Sequence, residues 1–291
     1  MIGQQIINGL MLGSVYAMVA VALTLSIGVL NFLNFSIPGL FMIAGMSTWA
    51  LIHAGTPWPL AILAALAITT AASLVVERFT WRWLRGAEHF VPLVSSMAFL
   101  LMFEHLAIVW WGSEMRVLPP LFSGTDWRIA GFVISLPQLA GLLVSIASIW
   151  GLSALLKRTS LGRGLRTIAE DSDTALLLGI DINRVVPIVF ALAGLFAAIA
   201  GVLFALNYRQ VQPFMGEAVG LKGISAMIVG GMGNTWGAIA GGLIIGIAEV
   251  LSVGYVGANF VDISVFGLLL LILFVRPTGL FSGLTAGRSG I

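Results

Sequence analysis

Long apolar blocks alternate with short polar connections along this chain. Blocks near 5–28, 34–53, 57–76, 91–112, 130–156, 187–207, 235–256 and 259–275 each approach the roughly 20 apolar residues that a membrane-spanning helix needs. A Gly-rich segment at 222–234 is too short to span as a regular helix. The pattern predicts an all-α, polytopic transmembrane helix bundle of about eight or nine spans, with broken or short Gly-rich segments. It reads as one transmembrane domain over 1–291.

The charged residues fall in the connections and predict an orientation. The 77–89 loop carries Arg78, Arg82 and Arg85, and the 157–186 loop carries Lys157, Arg158, Arg163, Arg166 and Arg184. Between them, 113–129 holds Arg116 and Arg128 beside Glu114 and Asp126. Two basic loops separated by two spans share a side, and the positive-inside rule makes that side cytoplasmic. Arg276, directly after the last span, predicts a cytoplasmic C-terminus. Trp81, Trp83, Trp110 and Trp111 sit at span ends, where amphipathic rings favour the headgroup layer. Traced backwards, the N-terminus falls outside, and the count closes only if 222–234 adds a crossing or another span is broken. The opening residues lack the basic stretch of a cleavable signal, so 5–28 reads as the first span.

Composition agrees and removes several functions. Of 291 residues, 59% are hydrophobic and 9% charged, against about a quarter charged in soluble domains. So few charges cannot clothe a water-facing surface, so most of the exterior must face hydrocarbon. The net charge of +2 does not build a nucleic-acid surface. No cysteine is present, which excludes disulfides and thiolate sites. His53, His89 and His105 are too widely spaced for a metal site on one helix. No cofactor is expected.

The 157–186 connection is the most informative polar piece. It reads as two short helices, the first from Ser160 with Leu161, Leu165 and Ile168 at helical spacing. The second opens at Ser172 or Asp173 as an N-cap and closes at Gly179 as the residue after the C-cap. Such a capped helix suits docking of a soluble partner; a loop lying on the headgroups is the alternative.

Two interruptions and two acids mark candidate chemistry in the spans. Gly230, Gly231 and Gly233 followed by Asn234 break a helix, and broken backbone at membrane depth is tolerated only inside protein or along a wet cavity. These residues are candidate pathway elements. So are Asn31, Asn34, Ser36 and Pro38, which interrupt an otherwise apolar stretch. Glu104 and His105 fall in one span and Glu249 in another. Intramembrane carboxylates usually face the bundle interior; Glu104 is the pathway candidate, and Glu249 reads first as structural. Lys222 is expected at the outer headgroups. The pairs Gly9/Gly13, Gly237/Gly241 and Gly242/Gly246 and the stripe Ala193, Ala197, Gly201 read as helix packing.

The run Thr159–Asp171, then Ala175–Leu178, Gly179-Ile180-Asp181 and Asn183-Arg184, resembles the cytoplasmic loop of branched-chain amino acid ABC importer permeases, in particular the first of their two homologous membrane subunits. Asn8-Gly9-Leu10, Gly220-Leu221-Lys222, Gly230-Gly231-Met232-Gly233-Asn234 and Arg276-Pro277-Thr278-Gly279-Leu280-Phe281 resemble other family segments in the same order. The resemblance implies a bacterial inner-membrane permease that partners a second permease, two cytoplasmic ATPase subunits and a periplasmic substrate-binding protein. It implies that Arg163, Arg166, Ala169, Glu170, Asp171, Ala175 and Gly179 form the element that couples to the ATPase. One departure stands out: where the family has Asn-Phe-Ala-His-Gly-Glu, this chain has Asn34-Phe35-Ser36-Ile37-Pro38-Gly39, without the histidine and the acid. No G-x-x-x-x-G-K-[ST] loop is present, so ATP hydrolysis is expected elsewhere and the chain is not itself an enzyme. The competing reading is a self-contained carrier coupled to protons or sodium, built on Glu104, His105, Glu249 and the broken segments.

Overall fold

The computed structural model describes residues 2–30, 32–84, 88, 90–119, 127–129, 132–170 and 172–281. We number its principal helices in chain order: α1 (Ile2–Leu30), α2 (Ser36–His53), α3 (Trp58–Val76), α4 (Phe90–Trp111), α5 (Leu136–Arg158), α6 (Ser160–Glu170), α7 (Ser172–Leu177), α8 (Ile182–Tyr208), α9 (Met215–Gly230), α10 (Thr235–Tyr255) and α11 (Val261–Val275). A π-helical turn, Glu77–Arg82, prolongs α3. Strands β1 (Arg116–Val117) and β4 (Gln210–Val211) pair antiparallel, and β2 (Trp127–Ile129) pairs with β3 (Phe132–Ile134).

Among the described residues, eight helical segments are long and apolar enough to cross a bilayer. The fifth starts later than the apolar block at 130–156 predicts. Residues 132–134 pair as a strand, and Ser135 opens α5, its N–H donating to Gln138 Oε1 at 3.2 Å. This reciprocal cap outweighs hydrophobicity in fixing where the helix begins.

α1 is the central helix. Its most apolar window is 89% buried, against 11% for the segment ending in α11. Small residues carry its packing, because apolar surface alone does not drive helix association in lipid. A Cβ at Gly13 would lie 2.8 Å from Leu243 Cα, and one at Gly242 would lie 2.5 Å from Ala17 Cα. The Gly9/Gly13 and Gly242/Gly246 pairs thus bring the backbones of α1 and α10 together, while Gly237 and Gly241 meet Gly230 and Ala226 of α9. Gly201 in the α8 stripe meets Phe41 and Ala44 of α2 in the same way.

That last contact fixes depth. About 28 Å of α8 precedes Gly201, at 1.5 Å per residue, yet only Ser36–Leu40 of α2 precede Phe41. α2 therefore begins inside the bundle. α9 also begins inside: Gly216 and Gly220 in its first turns pack on Pro38, and Met215 packs against Gly45. From there α9 runs to a tight turn with α10, where Gly231 and Gly233 have φ of 106° and 83°.

The turn lies at the same face as the end of α5, because Lys157 Nζ sits 5.8 Å from the centre of the Trp236 ring. The C-terminal segment reaches that face too. Leu280 and Phe281 donate backbone N–H groups to Val229 O at 2.9 Å and Gly230 O at 3.2 Å. The β1–β4 ribbon, the end of α8 and the start of α1 lie at the opposite face. Entered through 209–214, α9 carries the chain from the β1–β4 face to the turn with α10, so that Ile2 and Phe281 lie at opposite faces. A 16-residue helix is enough because its start is already sunk in protein.

Candidate functional site

α9 places its glycines and its lysine on different sides. Gly216 and Gly220 lie against Pro38 and Gly223 against Val19, which turns Lys222 toward α1 and α10. There Lys222 Nζ meets Glu249 Oε1 at 2.5 Å, with each side chain only 13% exposed. Tyr16 donates its hydroxyl to Glu249 Oε2 at 2.7 Å, and its ring centre lies 5.9 Å from Lys222 Nζ. Asp262, largely exposed, approaches Lys222 to 4.0 Å at the edge of the cluster. Lys222 is thus paired in the interior rather than placed at the headgroups. Sequence reasoning weighed Lys222 and Glu249 separately; nothing local shows that residues 27 positions apart on different helices meet.

The cluster forms the wall of a cavity of about 230 Å³ beneath the β1–β4 ribbon. Leu12, Phe204, Met215 and Val219 supply apolar surface, and Tyr208, Gln210 and Gln212 supply polar edges. A second cavity of about 310 Å³ adjoins it, lined by the amides of Gln5, Asn8, Gln138 and Asn207. The two share Leu12, Tyr208 and Glu249. Asn207 Oδ1 is buried without a hydrogen-bond partner among the described residues. Together they offer a mostly apolar chamber holding one largely buried positive and one largely buried negative group, reached past side-chain amides. Among the described residues no cluster of His, Asp or Glu could hold a metal.

The earlier pathway candidates separate into three places. Asn34 and Ser36 are buried where α2 begins: Asn34 Oδ1 accepts from Ser36 N at 3.0 Å and from Ser36 Oγ at 2.7 Å, while Asn34 Nδ2 has no partner among the described residues. Pro38, in the first turn of α2 where a missing N–H costs little, packs on α9. Asn31 lies outside the described residues. Glu104 is 2% exposed on α4 with Oε1 unpartnered among the described residues, whereas His105 is exposed and bonded to Leu101 O at 2.8 Å. The 100° step between helix neighbours separates them as the sequence implies. Gly230, Gly231, Gly233 and Asn234 lie at neither cavity. Asn234 caps α10, accepting from Trp236 N at 3.0 Å and Gly237 N at 3.2 Å, and donates through Nδ2 to Phe281 O at 2.9 Å. The helix break therefore sits at an end face and not at mid-depth.

The two short helices of the 157–186 connection form as the sequence predicts. On α6, Leu165 and Ile168 are buried and Gly162 abuts the Leu156 carbonyl. Arg163, Arg166 and Glu170 are exposed, with Ala169 half-buried; Asp171 lies outside the described residues. α7 ends in a Schellman motif: Gly179, at φ 78°, donates to Leu176 O and Ile180 donates to Ala175 O, both at 3.0 Å. Ala175 is fully buried, while Leu176, Leu177 and Leu178 are 55%, 89% and 68% exposed. Three leucines open to solvent on a short capped helix outside the spans form a surface that needs a cover.

The family described as branched-chain amino acid transport system / permease component matches residues 5–275. The high-affinity branched-chain amino acid transport system permease protein BraD of Pseudomonas aeruginosa is 32% identical over 290 residues, covering 95% of this chain and 94% of its own. LivH, the corresponding permease protein of Escherichia coli K12, is also 32% identical, over 291 residues, with the same coverage. The ribose import permease protein RbsC of Bacillus subtilis is 28% identical over 53% of this chain and 49% of its own. Among solved structures, an inward-facing metal-chelate type ABC transporter shares the fold, with a TM-score of 0.53 at 15% identity over 94% of this chain and 85% of that one.

Proposed function

This chain belongs to the family of branched-chain amino acid transport permease components, and from that premise we propose that it forms one membrane half of an ATP-driven importer for branched-chain or other hydrophobic amino acids. Its partners are a second permease, two cytoplasmic ATPase subunits and a periplasmic substrate-binding protein, assembled in a bacterial inner membrane. The face that carries α6, α7 and the C-terminal segment is cytoplasmic, in keeping with the basic residues at 157–184.

The observation that carries the reading is the exposed leucine knob on α7. A self-contained carrier has no use for three solvent-facing leucines on a rigid capped helix, whereas an ATPase cleft would bury them. The knob is attached to structure that can transmit force. α6 packs through Gly162, Leu165 and Ile168 onto the helices behind it, so displacement of α7 bears on α5, α8 and the central α1. Closure of an ATPase dimer then tilts those helices, as interface rotations do in other two-state assemblies. Arg163, Arg166, Ala169 and Glu170 flank the knob, and Gly179 sets its exit angle; Asp171 belongs to the same element.

The missing histidine and acid at 34–39 leave the start of α2 uncharged, which moves the polar part of the pathway to Tyr16, Lys222 and Glu249. Co-purification from native membranes tests the assignment. Gently extracted protein should bring down an ATPase and a second permease, and both should be lost or reduced when Glu170→Ala and Gly179→Val are combined. A single species that still transports would overturn it in favour of the ion-coupled carrier.

A further inference from the structure

We propose that Lys222 and Glu249 form a low-affinity station in the translocation pathway for the zwitterionic head of a free amino acid, a proposal that rests on the permease reading above. The two groups are nearly removed from solvent, with 13% of each side chain exposed. A buried ion pair gives little net stability, and an apolar pair of the same volume commonly does as well. Inside a membrane bundle such charges are costly and mark pathways. This pair borders an open chamber, where it can exchange partners.

An amino acid carries the same two charges as the pair, a short fixed distance apart. Its carboxylate can move against Lys222 Nζ while its ammonium moves against Glu249 Oε1. The intramolecular pair then opens into a ring of four alternating charges, and no buried charge loses its partner. Tyr16 holds Glu249 Oε2 at 2.7 Å, so Oε1 is the oxygen that exchanges. Leu12, Phe204, Met215 and Val219 in the same wall receive an aliphatic side chain. The amides of Gln5, Asn8, Gln138 and Asn207 in the adjoining cavity give the polar head a hydrated approach.

Selection follows from what other solutes leave behind. A neutral sugar cannot replace either charge, and opening the pair for it strands both. An amino-acid analogue lacking one charge strands one. Rejection by unpaired buried charge is the stronger form of specificity. The membrane subunit thereby discriminates by head group, independently of any binding protein.

The chain holds no cysteine, so Ala218→Cys in the cavity wall supplies one reporter thiol on this subunit. Its modification by a small water-soluble thiol reagent is timed in the assembled transporter in membrane vesicles. Millimolar L-leucine should slow labelling about tenfold, the factor carried by roughly 1.4 kcal/mol of occupancy. Leucinamide, 4-methyl-2-oxopentanoate and ribose, each lacking one or both charges, should not. Lys222→Met and Glu249→Gln should each abolish the protection while labelling without leucine continues. Should either variant lose labelling altogether, the analogue series on the Ala218→Cys protein alone decides. Labelling that leucine leaves unchanged, equal protection by ribose or by the one-charge analogues, or protection that survives both substitutions would overturn the station. ATP-driven leucine uptake by the wild-type assembly is measured alongside. Uptake without protection removes the station and leaves the permease; absence of any amino-acid uptake removes the permease reading itself.

Discussion

Tyr16 on α1 donates its phenolic hydrogen to Glu249 on α10 at 2.7 Å, across 233 positions of sequence. The bond exists because the helices that carry it are in backbone contact, with Gly13 and Gly246 meeting where any side chain would hold them apart. Close packing by small residues and placement of a buried carboxylate are therefore one arrangement. The glycines set the distance, and the tyrosine and lysine satisfy the charge that the distance encloses.

Removing the hydroxyl should test that coupling. Tyr16→Phe leaves Glu249 with one donor fewer, a loss of about 1.5–3 kcal/mol for a hydrogen bond to a charged group. Glu249→Gln alone leaves Lys222 with only the exposed Asp262 at 4.0 Å as counter-charge and should cost more, on the order of 3–5 kcal/mol. The double variant should cost less than the two single losses together, because the glutamine already weakens the bond from Tyr16 by removing the charge on its acceptor. Thermal unfolding of the detergent-purified protein reads all three; strictly additive losses would mean that the bond does not stabilise the fold.

Asn234 joins three elements, and its two functions can be separated. Asn234→Asp keeps the oxygen that caps α10 and removes the amide that donates to Phe281. Asn234→Ala removes both, and loss of a cap alone costs about 1 kcal/mol. Melting temperature should fall for Ala and much less for Asp. Proteolytic release of the C-terminal segment should quicken in both. If the segment stays equally protected in both variants, the bond from Nδ2 to Phe281 is not what holds it.

Where structure is written in local chemistry, the sequence shows it. The two short helices α6 and α7 and the turn at Gly179 follow from residues close together in the chain, and the opposite faces of Glu104 and His105 follow from helix geometry. The G-x-x-x-G pairs announce close packing without naming the partner. Depth is what the sequence hides. The glycines at 230–233 do force a break, but only the contacts of Pro38 with Gly216 and Gly220 reveal that α9 starts within the bundle and ends at a face. For the same reason a 16-residue helix escapes a rule based on bilayer thickness. Lys222 and Glu249 are each legible as an awkward charge, and their pairing depends on the crossing of α9 and α10.

Leu177 should separate assembly from folding. Its side chain is 89% exposed, so Leu177→Asp removes almost no internal contact and should change stability by no more than about 0.5 kcal/mol. An ATPase that buries the leucine would instead meet a charge. Retention of the ATPase on gentle purification should fall steeply, with the melting temperature of the isolated chain unchanged. An intact complex carrying Asp at this position would show that the knob lies outside the contact, and attention would pass to Leu176 and Leu178.

The contact between α1 and α10 makes the sharpest demand on side-chain size. A Cβ at Gly246 would fall on the backbone of Gly13, and α1 is buried on every side from Met11 to Ser26, which leaves it little room to shift. Gly246→Ala should therefore cost about 1–3 kcal/mol through overpacking, despite the better helix propensity of alanine. Gly267 on α11 is the control: a Cβ there meets nothing within 4 Å. Gly267→Ala should hold or raise stability by up to about 1 kcal/mol. Yield of monodisperse protein and melting temperature distinguish the two. A Gly246→Ala protein that melts with the parent would mean that α1 and α10 can part by the width of a methyl group, and that Tyr16 reaches Glu249 by some means other than that close approach.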